Sequence, residues 1–99
     1  MKLFKLTQKA KKDLIQIAIY TSDHWAKKQR NLYIKQFDDT FKLLANNTKL
    51  GKRCDYIKNG YRKFPQDSHI IFYKKRSISK IEIIRILHKS MDITSHISN

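Results

Sequence analysis

Residues 55–88 read DYIKNGYRKFPQDSHIIFYKKRSISKIEIIRILH, and the turn residues inside this stretch decide the fold. Asn59-Gly60 is a hairpin signal, because a two-residue turn that matches strand twist needs positive φ at both positions. It stands between Asp55-Tyr56-Ile57 and Tyr61-Arg62-Lys63-Phe64, which read as its two strands. Pro65-Gln66-Asp67-Ser68 supplies the next turn. His69 to Lys74 follows, rich in β-branched and aromatic residues, and Ser77 to Ser79 turns the chain again. Lys80 to His88 predicts the longest strand. Short turns between consecutive strands imply an antiparallel meander.

Upstream of the meander the hydrophobic period changes from two to 3.6. Ala10, Leu14, Ile17, Ala18, Thr21 and Trp25 recur at helical spacing, with Thr7 as the N-cap and no capping box, since Ala10 holds the third position. A second helix starts near Ala26 and carries Tyr33, Phe37, Phe41, Leu44 and Ala45 on its apolar stripe. Asn46-Asn47-Thr48 ends it. The short connection at Trp25 and Ala26 predicts an antiparallel helical hairpin, with Trp25 as a core plug closing it. Lys2 to Leu6 is strand-like and reaches the sheet only by crossing over the hairpin. The reading is therefore one α/β (α+β) domain over residues 1–99, in the order β-α-α-β-β-β. The helical hairpin packs on one face of a mainly antiparallel sheet of about four strands.

Composition narrows the function. Forty per cent of the 99 residues are hydrophobic and only three are Gly or Pro, which excludes a disordered tail. Twenty-two Lys and Arg stand against eight Asp and Glu, a net charge of +14. Codon bias toward AT-rich triplets would raise Lys, Ile and Asn but also Glu, and Glu82 is the one glutamate in the chain. The deficit of acids thus belongs to the protein and predicts a polyanion or an acidic protein as partner. A lone cysteine, Cys54, excludes an internal disulfide. No hydrophobic signal segment or run of roughly 18 apolar residues is present, so a cytoplasmic protein with no membrane association is expected.

Several short motifs, in order, carry a resemblance. Tyr61-Arg62-Lys63-Phe64-Pro65, Ser68 to Tyr73, Arg85-Ile86-Leu87-His88 and Met91-Asp92 resemble the ParE branch of the RelE/ParE toxin superfamily. The N-terminal half agrees through Asp13, Leu14, Ile15 and Tyr20 on the first helix, Trp25 between the helices, Tyr33 and Phe37 on the second, and Leu50-Gly51 at the start of the sheet. The resemblance implies a toxin of a bacterial type II toxin–antitoxin system, neutralised by a co-encoded antitoxin. The family has two divergent activities. ParE-type members poison DNA gyrase by binding, and RelE-type members cut messenger RNA on the ribosome.

The two activities demand different side chains. Attack of a ribose 2′-hydroxyl on phosphorus needs a base, an acid and cations for the developing charge. RelE-type enzymes resemble this chain in fold and supply those roles with Lys and Arg on the middle strands and a tyrosine near the C-terminus. Here the aligned strand positions are apolar, Ile70 among them, and Asp92 is followed by Ile93, Thr94, Ser95 and His96 with no tyrosine. His88, with Arg62 and Arg85 as cations, is what a ribonuclease reading would have to use.

Arg85 has two readings. Strict alternation puts it on one face with Ile81, Ile83 and Leu87, opposite Glu82, Ile84, Ile86 and His88. An arginine in an apolar row either pairs with a carboxylate, for which Asp13 and Asp92 are candidates, or meets a partner. Arg62 and Lys63 split between the faces, so one lies on the face without helices, near Tyr61 and Tyr73. Such a face could stack and neutralise nucleic acid, or receive an acidic antitoxin tail; the protein partner is preferred. The four histidines have no metal-ligand spacing and no phosphate loop is present, so neither metal nor cofactor is expected.

The expectation is a ParE-like toxin that acts by binding, since the catalytic set of the ribonuclease branch is incomplete here. Its partner-binding candidates are Arg62, Lys63, Tyr73, Arg85, His88, Lys89, Met91 and Asp92. The partners expected are DNA gyrase, met by the segment from Arg85 to His96, and an acidic, partly disordered antitoxin. The alternatives are a ribosome-dependent mRNA endoribonuclease and a basic nucleic-acid-binding module.

Overall fold

A computed structural model describes residues 3–91 of the chain. Strand β1 (Leu3–Leu6) leads into helix α1 (Gln8–His24), and helix α2 (Lys27–Asn46) follows directly. A 3-10 turn (Thr48–Leu50) then opens onto β2 (Lys52–Arg53), β3 (Tyr61–Gln66), β4 (His69–Ser77) and β5 (Lys80–His88). Thr7 caps α1 by accepting the Ala10 N–H at 3.0 Å, as its sequence position predicts. The helix ends where Trp25 turns extended, at φ −139°. That break takes Trp25 off the helical stripe, so its side chain is 63% exposed and is not the core plug expected.

The sheet has five strands in the order β1-β5-β4-β3-β2. The meander from β3 to β5 is antiparallel, and β1 joins it parallel to β5, from Leu3 opposite Lys80 to Leu6 opposite Ile83. The added strand corrects the reading of Asn59-Gly60. Asp55-Tyr56-Ile57 is a turn, and β3 pairs instead with Lys52–Arg53. Cys54 N–H donates to Tyr61 O at 2.9 Å and closes a loop over the six intervening residues. Inside it Ile57 N–H reaches Cys54 O, and Gly60 N–H donates to Asp55 Oδ1 at 2.9 Å. The Gly60 amide and the Arg53 guanidinium hold the Asp55 carboxyl below its ordinary range. Gly60 has φ +86°, so its glycine is needed even though the turn is not a two-residue one.

One face of the sheet carries the main core. Ala10 and Ile17 of α1 and Phe37, Phe41, Leu44 and Ala45 of α2 pack on Ile71, Tyr73, Ile81, Ile83 and Ile86. Each buried phenylalanine contributes about 2–3 kcal/mol of transfer free energy. The opposite face holds a second cluster of Cys54, Tyr61, Phe72 and Leu87, with Ile57, Ile70 and Ile84 partly buried against it.

A bulge in β5 sets which residues join which cluster. Tyr73 lies opposite Ile83 and Phe72 opposite Arg85, so Ile84 is the extra residue. Strict alternation therefore fails after Ile83. Ile86 joins Ile81 and Ile83 on the helix side, while Ile84 and Leu87 join the second cluster. Arg85 shares the face of its partner Phe72, opposite Ile81 and Ile83.

Gly51 fits because the Tyr73 phenol fills the space beside it. The Gly51 N–H donates to the Tyr73 hydroxyl at 2.8 Å, and that hydroxyl donates to Thr48 O at 2.8 Å. A Cβ on Gly51 would stand 2.6 Å from Tyr73 Cε1 and 2.7 Å from Cζ. Gly51→Ala should therefore destabilise the fold by about 2 kcal/mol through overpacking. Urea unfolding should show a lower midpoint at unchanged slope; an unchanged midpoint would mean the 3-10 turn yields freely.

Candidate functional site

Beyond Leu6, helix α1 takes over from β1 in covering the edge of β5. Thr7 donates its N–H to Ile83 O at 3.0 Å and its hydroxyl to Ile84 O at 2.8 Å. Asp13 of α1 then accepts the Ile86 N–H at 3.0 Å. The same carboxylate takes Arg85 in a two-point pair, Nε at 2.7 Å and Nη2 at 2.9 Å. Both side chains are 14% exposed. Donating to the Asp13 carboxylate raises the pKa of the Arg85 guanidinium above its ordinary value, against the opposing effect of burial. Of the two carboxylates expected for Arg85, Asp13 is bound, and Asp92 lies outside the described residues.

The other sheet candidates separate by environment. Tyr73 is fully buried with its hydroxyl engaged by Gly51 and Thr48, and Tyr61 is buried as well. The expectation that these two rings present a stacking surface is therefore corrected: both serve the packing. Arg62 donates Nη1 to Gly51 O at 2.7 Å and helps hold the same turn. Lys63 points to the other face and donates Nζ to the Tyr56 hydroxyl at 3.0 Å. Tyr56 is 74% exposed, so the aromatic ring on this part of the surface is Tyr56.

His88 ends β5 directly opposite His69, their rings meeting edge to face at 5.4 Å between centroids. His88 Nδ1 lies 2.7 Å from the Ser90 hydroxyl and accepts the Ser90 N–H at 3.1 Å. His69 Nδ1 is 3.2 Å from the Tyr33 hydroxyl of α2. Burial, and then His88, push the His69 pKa down, while burial pushes the Tyr33 phenol up. Lys89 and Met91 are exposed just beyond the strand. The His69–Tyr33 contact was missed because no local motif joins residues on β4 and α2.

The set a ribonuclease would use does not converge. Arg62 lies opposite Tyr73 and His88 opposite His69, four positions apart along β4, or roughly 13 Å at strand rise. Arg85 is held by Asp13 and Arg62 by Gly51. No group of three or more His, Cys, Asp or Glu suited to a metal ion occurs among the described residues.

The helical hairpin adds a surface that the first stripe concealed. Ile15 and Ile19, one turn apart on α1, are exposed, as are Tyr20, Trp25 and Leu32. Tyr20 stacks on His24 at 4.0 Å. A shallow groove beside them is lined by Ala18 and by Arg30, Asn31, Ile34, Lys35 and Asp38 of α2. The signal was legible as a second apolar pair on α1, off the Ala10–Ile17 line. No helix among the described residues is long and apolar enough to cross a membrane.

An α-helical hairpin laid on one face of a five-stranded, mostly antiparallel sheet, with exposed aliphatic side chains on its helices, defines a small domain of α+β class. The family model for the ParE toxin of type II toxin–antitoxin systems (parDE) matches residues 4–93, and the chain belongs to that family. It is 33% identical over 97 residues to Toxin ParE1 of Caulobacter vibrioides, covering 98% of this chain and 99% of that one. It is 32% identical over 90 residues to Toxin ParE1 of Mycobacterium tuberculosis, covering 91% and 92%. A solved structure described as a chromosomal ParDE TA system from P. aeruginosa shares the fold, with a TM-score of 0.74 at 19% identity, covering 89% of this chain and 96% of that one.

The lowered His69 pKa sets a pH dependence. The fold favours neutral His69, whereas the unfolded chain takes up that proton near pH 6.5. The contribution is whole above that value and is lost as pH falls below it. The melting temperature should thus be lower at about pH 5.5 than at about pH 7.5, and His69→Gln should narrow the gap. An equal gap in wild type and variant would remove His69 as the cause.

Proposed function

We propose that this ParE-family toxin acts by binding alone, with DNA gyrase on cleaved DNA as its target in the cytoplasm. A co-encoded acidic antitoxin neutralises it. The observation that carries this reading is the state of the candidate catalytic groups. Arg62 and Arg85 are each engaged inside the fold, and His88 stands apart from Arg62. The segment from Arg85 to His96 is the gyrase contact, with Lys89 and Met91 exposed at its described end. Purified gyrase with supercoiled plasmid tests this directly: the toxin should accumulate cleaved DNA, and truncation after Met91 should abolish the effect while antitoxin binding persists. Codon-positioned mRNA cuts with no effect on gyrase would replace this reading with the ribonuclease.

The hairpin is the antitoxin surface in this proposal. Exposed Ile15, Ile19 and Leu32 offer apolar anchors, and Lys12, Lys28 and Arg30 surround them with charge that suits an acidic amphipathic segment. Folding of that segment onto the toxin would bury the apolar face and offset the repulsion among its cations. Ile19→Lys should weaken the complex by about tenfold or more in calorimetric titration with the antitoxin. Because Ile19 is 49% exposed, the melting temperature of the free toxin should hardly move. Unchanged affinity would place the antitoxin elsewhere.

A further inference from the structure

We propose that the β2–β3 ribbon, residues 52–63, is a contact for single-stranded nucleic acid, with Lys52, Lys58 and Lys63 on the phosphates and a base stacked on Tyr56. This goes beyond the gyrase reading and stands without it, because the ligand is the nucleic acid itself.

The first observation is electrostatic. In the ribbon Lys52 lies directly opposite Lys63, and Arg53 directly opposite Arg62. Like charges in that register repel and weaken the pairing. The ribbon holds five cations (Lys52, Arg53, Lys58, Arg62 and Lys63) and one acid, Asp55. Asp55 is engaged by Arg53 at 2.7 Å and by the Gly60 N–H. Lys52, Lys58 and Lys63 have no carboxylate partner among the described residues. A polyanion supplies the missing counter-charge, displacing small ions as it binds.

The second observation is aromatic. The loop from Cys54 to Gly60 is internally hydrogen-bonded, and it projects Tyr56, a residue that is 74% exposed. Lys63 Nζ lies 5.7 Å from the ring centroid and donates to the hydroxyl, fixing the side chain without covering it. A fixed, exposed ring among lysines is the arrangement that stacks an unpaired base while neutralising its phosphate.

The third observation separates this ligand from an acidic peptide. Protein docking needs an apolar centre. In the ribbon Cys54 and Tyr61 are buried and Ile57 is partly buried, so Tyr56 is its one large exposed apolar side chain. The exposed aliphatic side chains Ile15, Ile19 and Leu32 lie on the hairpin, which packs mainly on β1 and β5 and reaches the 3-10 turn before β2 only through the end of α2. Strand β2 is at the opposite edge of the sheet.

The test is fluorescence anisotropy of the purified chain with a labelled single strand of about 20 nucleotides, across a salt series and without gyrase. Lys52→Ala/Lys63→Ala should weaken binding by about tenfold or more and reduce the salt slope by about 1.4, or 0.7 per phosphate contact. Tyr56→Ala should weaken it by about fivefold or more, and Tyr56→Phe should restore most of the loss. Lys9→Ala/Lys12→Ala removes the same charge from α1 and should cost about twofold or less. Circular dichroism confirms that each variant is folded. Equal losses in the two double variants, or full affinity in Tyr56→Ala, would overturn the proposal. So would ribbon variants that lose antitoxin affinity while keeping that for the strand. Gyrase poisoning by the wild type is scored separately, so either reading can fail alone.

Discussion

The Asp13 carboxylate joins the two halves of the fold. Strand β5 lies between β1 and β4, yet β1 covers it only as far as Ile83. From there the exposed edge of β5 has to be satisfied by something other than a strand, since an unpaired backbone donor in a half-buried setting is costly. Thr7, the N-cap of α1, and Asp13, within α1, do this, and Asp13 also neutralises Arg85. One carboxylate thus fixes the docking of α1, completes the sheet edge and allows an arginine beside the second cluster. Removing one partner of this partly buried pair costs up to about 3 kcal/mol, a large share of the roughly 5–15 kcal/mol that holds a small domain together.

That interaction explains where sequence pattern succeeded and where it stopped. The helices were legible because Phe37, Phe41, Leu44 and Ala45 recur with a period that only a buried helix face produces. The three long strands were legible from the turn residues between them, although Pro65 and Gln66 continue β3 and Ser77 ends β4, so the turns are only Asp67–Ser68 and Ile78–Ser79. The bulge at Ile84 was not, because an extra residue in a ladder leaves no mark in composition. Its consequence was a wrong face for Arg85, although Asp13 was already one of the two carboxylates expected for it. Asn59-Gly60 misled for a related reason. The pair signals positive φ, and Gly60 has it, but Asp55 and Cys54 supply hydrogen bonds that make a longer loop the better solution.

The site residues were less legible than the fold. Arg62, Tyr73 and Arg85 were singled out as polar or aromatic residues of the sheet, and each proves to be engaged within the structure. Gly51 and Tyr73 together show why: the phenol occupies the space a side chain at Gly51 would take, so both identities are fixed by packing. Exposed Ile15, Ile19 and Tyr56 carry more of the accessible surface, but exposure depends on which elements cover which faces, and that is a tertiary property. Sequence pattern ranks a residue by its chemistry; the structure ranks it by whether that chemistry is already in use.

The charge of +14 is distributed against local electrostatics as well as in excess. The first turn of α1 carries lysines and no acid, and so does that of α2, although a helix N-terminus favours negative charge. The β2–β3 register sets Lys against Lys and Arg against Arg. Each placement lowers the stability of the isolated chain by a few tenths of a kcal/mol to about 1 kcal/mol. Codon bias adds lysines without choosing where they stand, and would not set arginine against arginine. A surface arranged in this way gains stability on meeting anions. The hairpin joins its cations to apolar side chains, whereas the ribbon joins them to one exposed ring. The same excess charge therefore presents two chemically different surfaces, and one acidic partner need not occupy both.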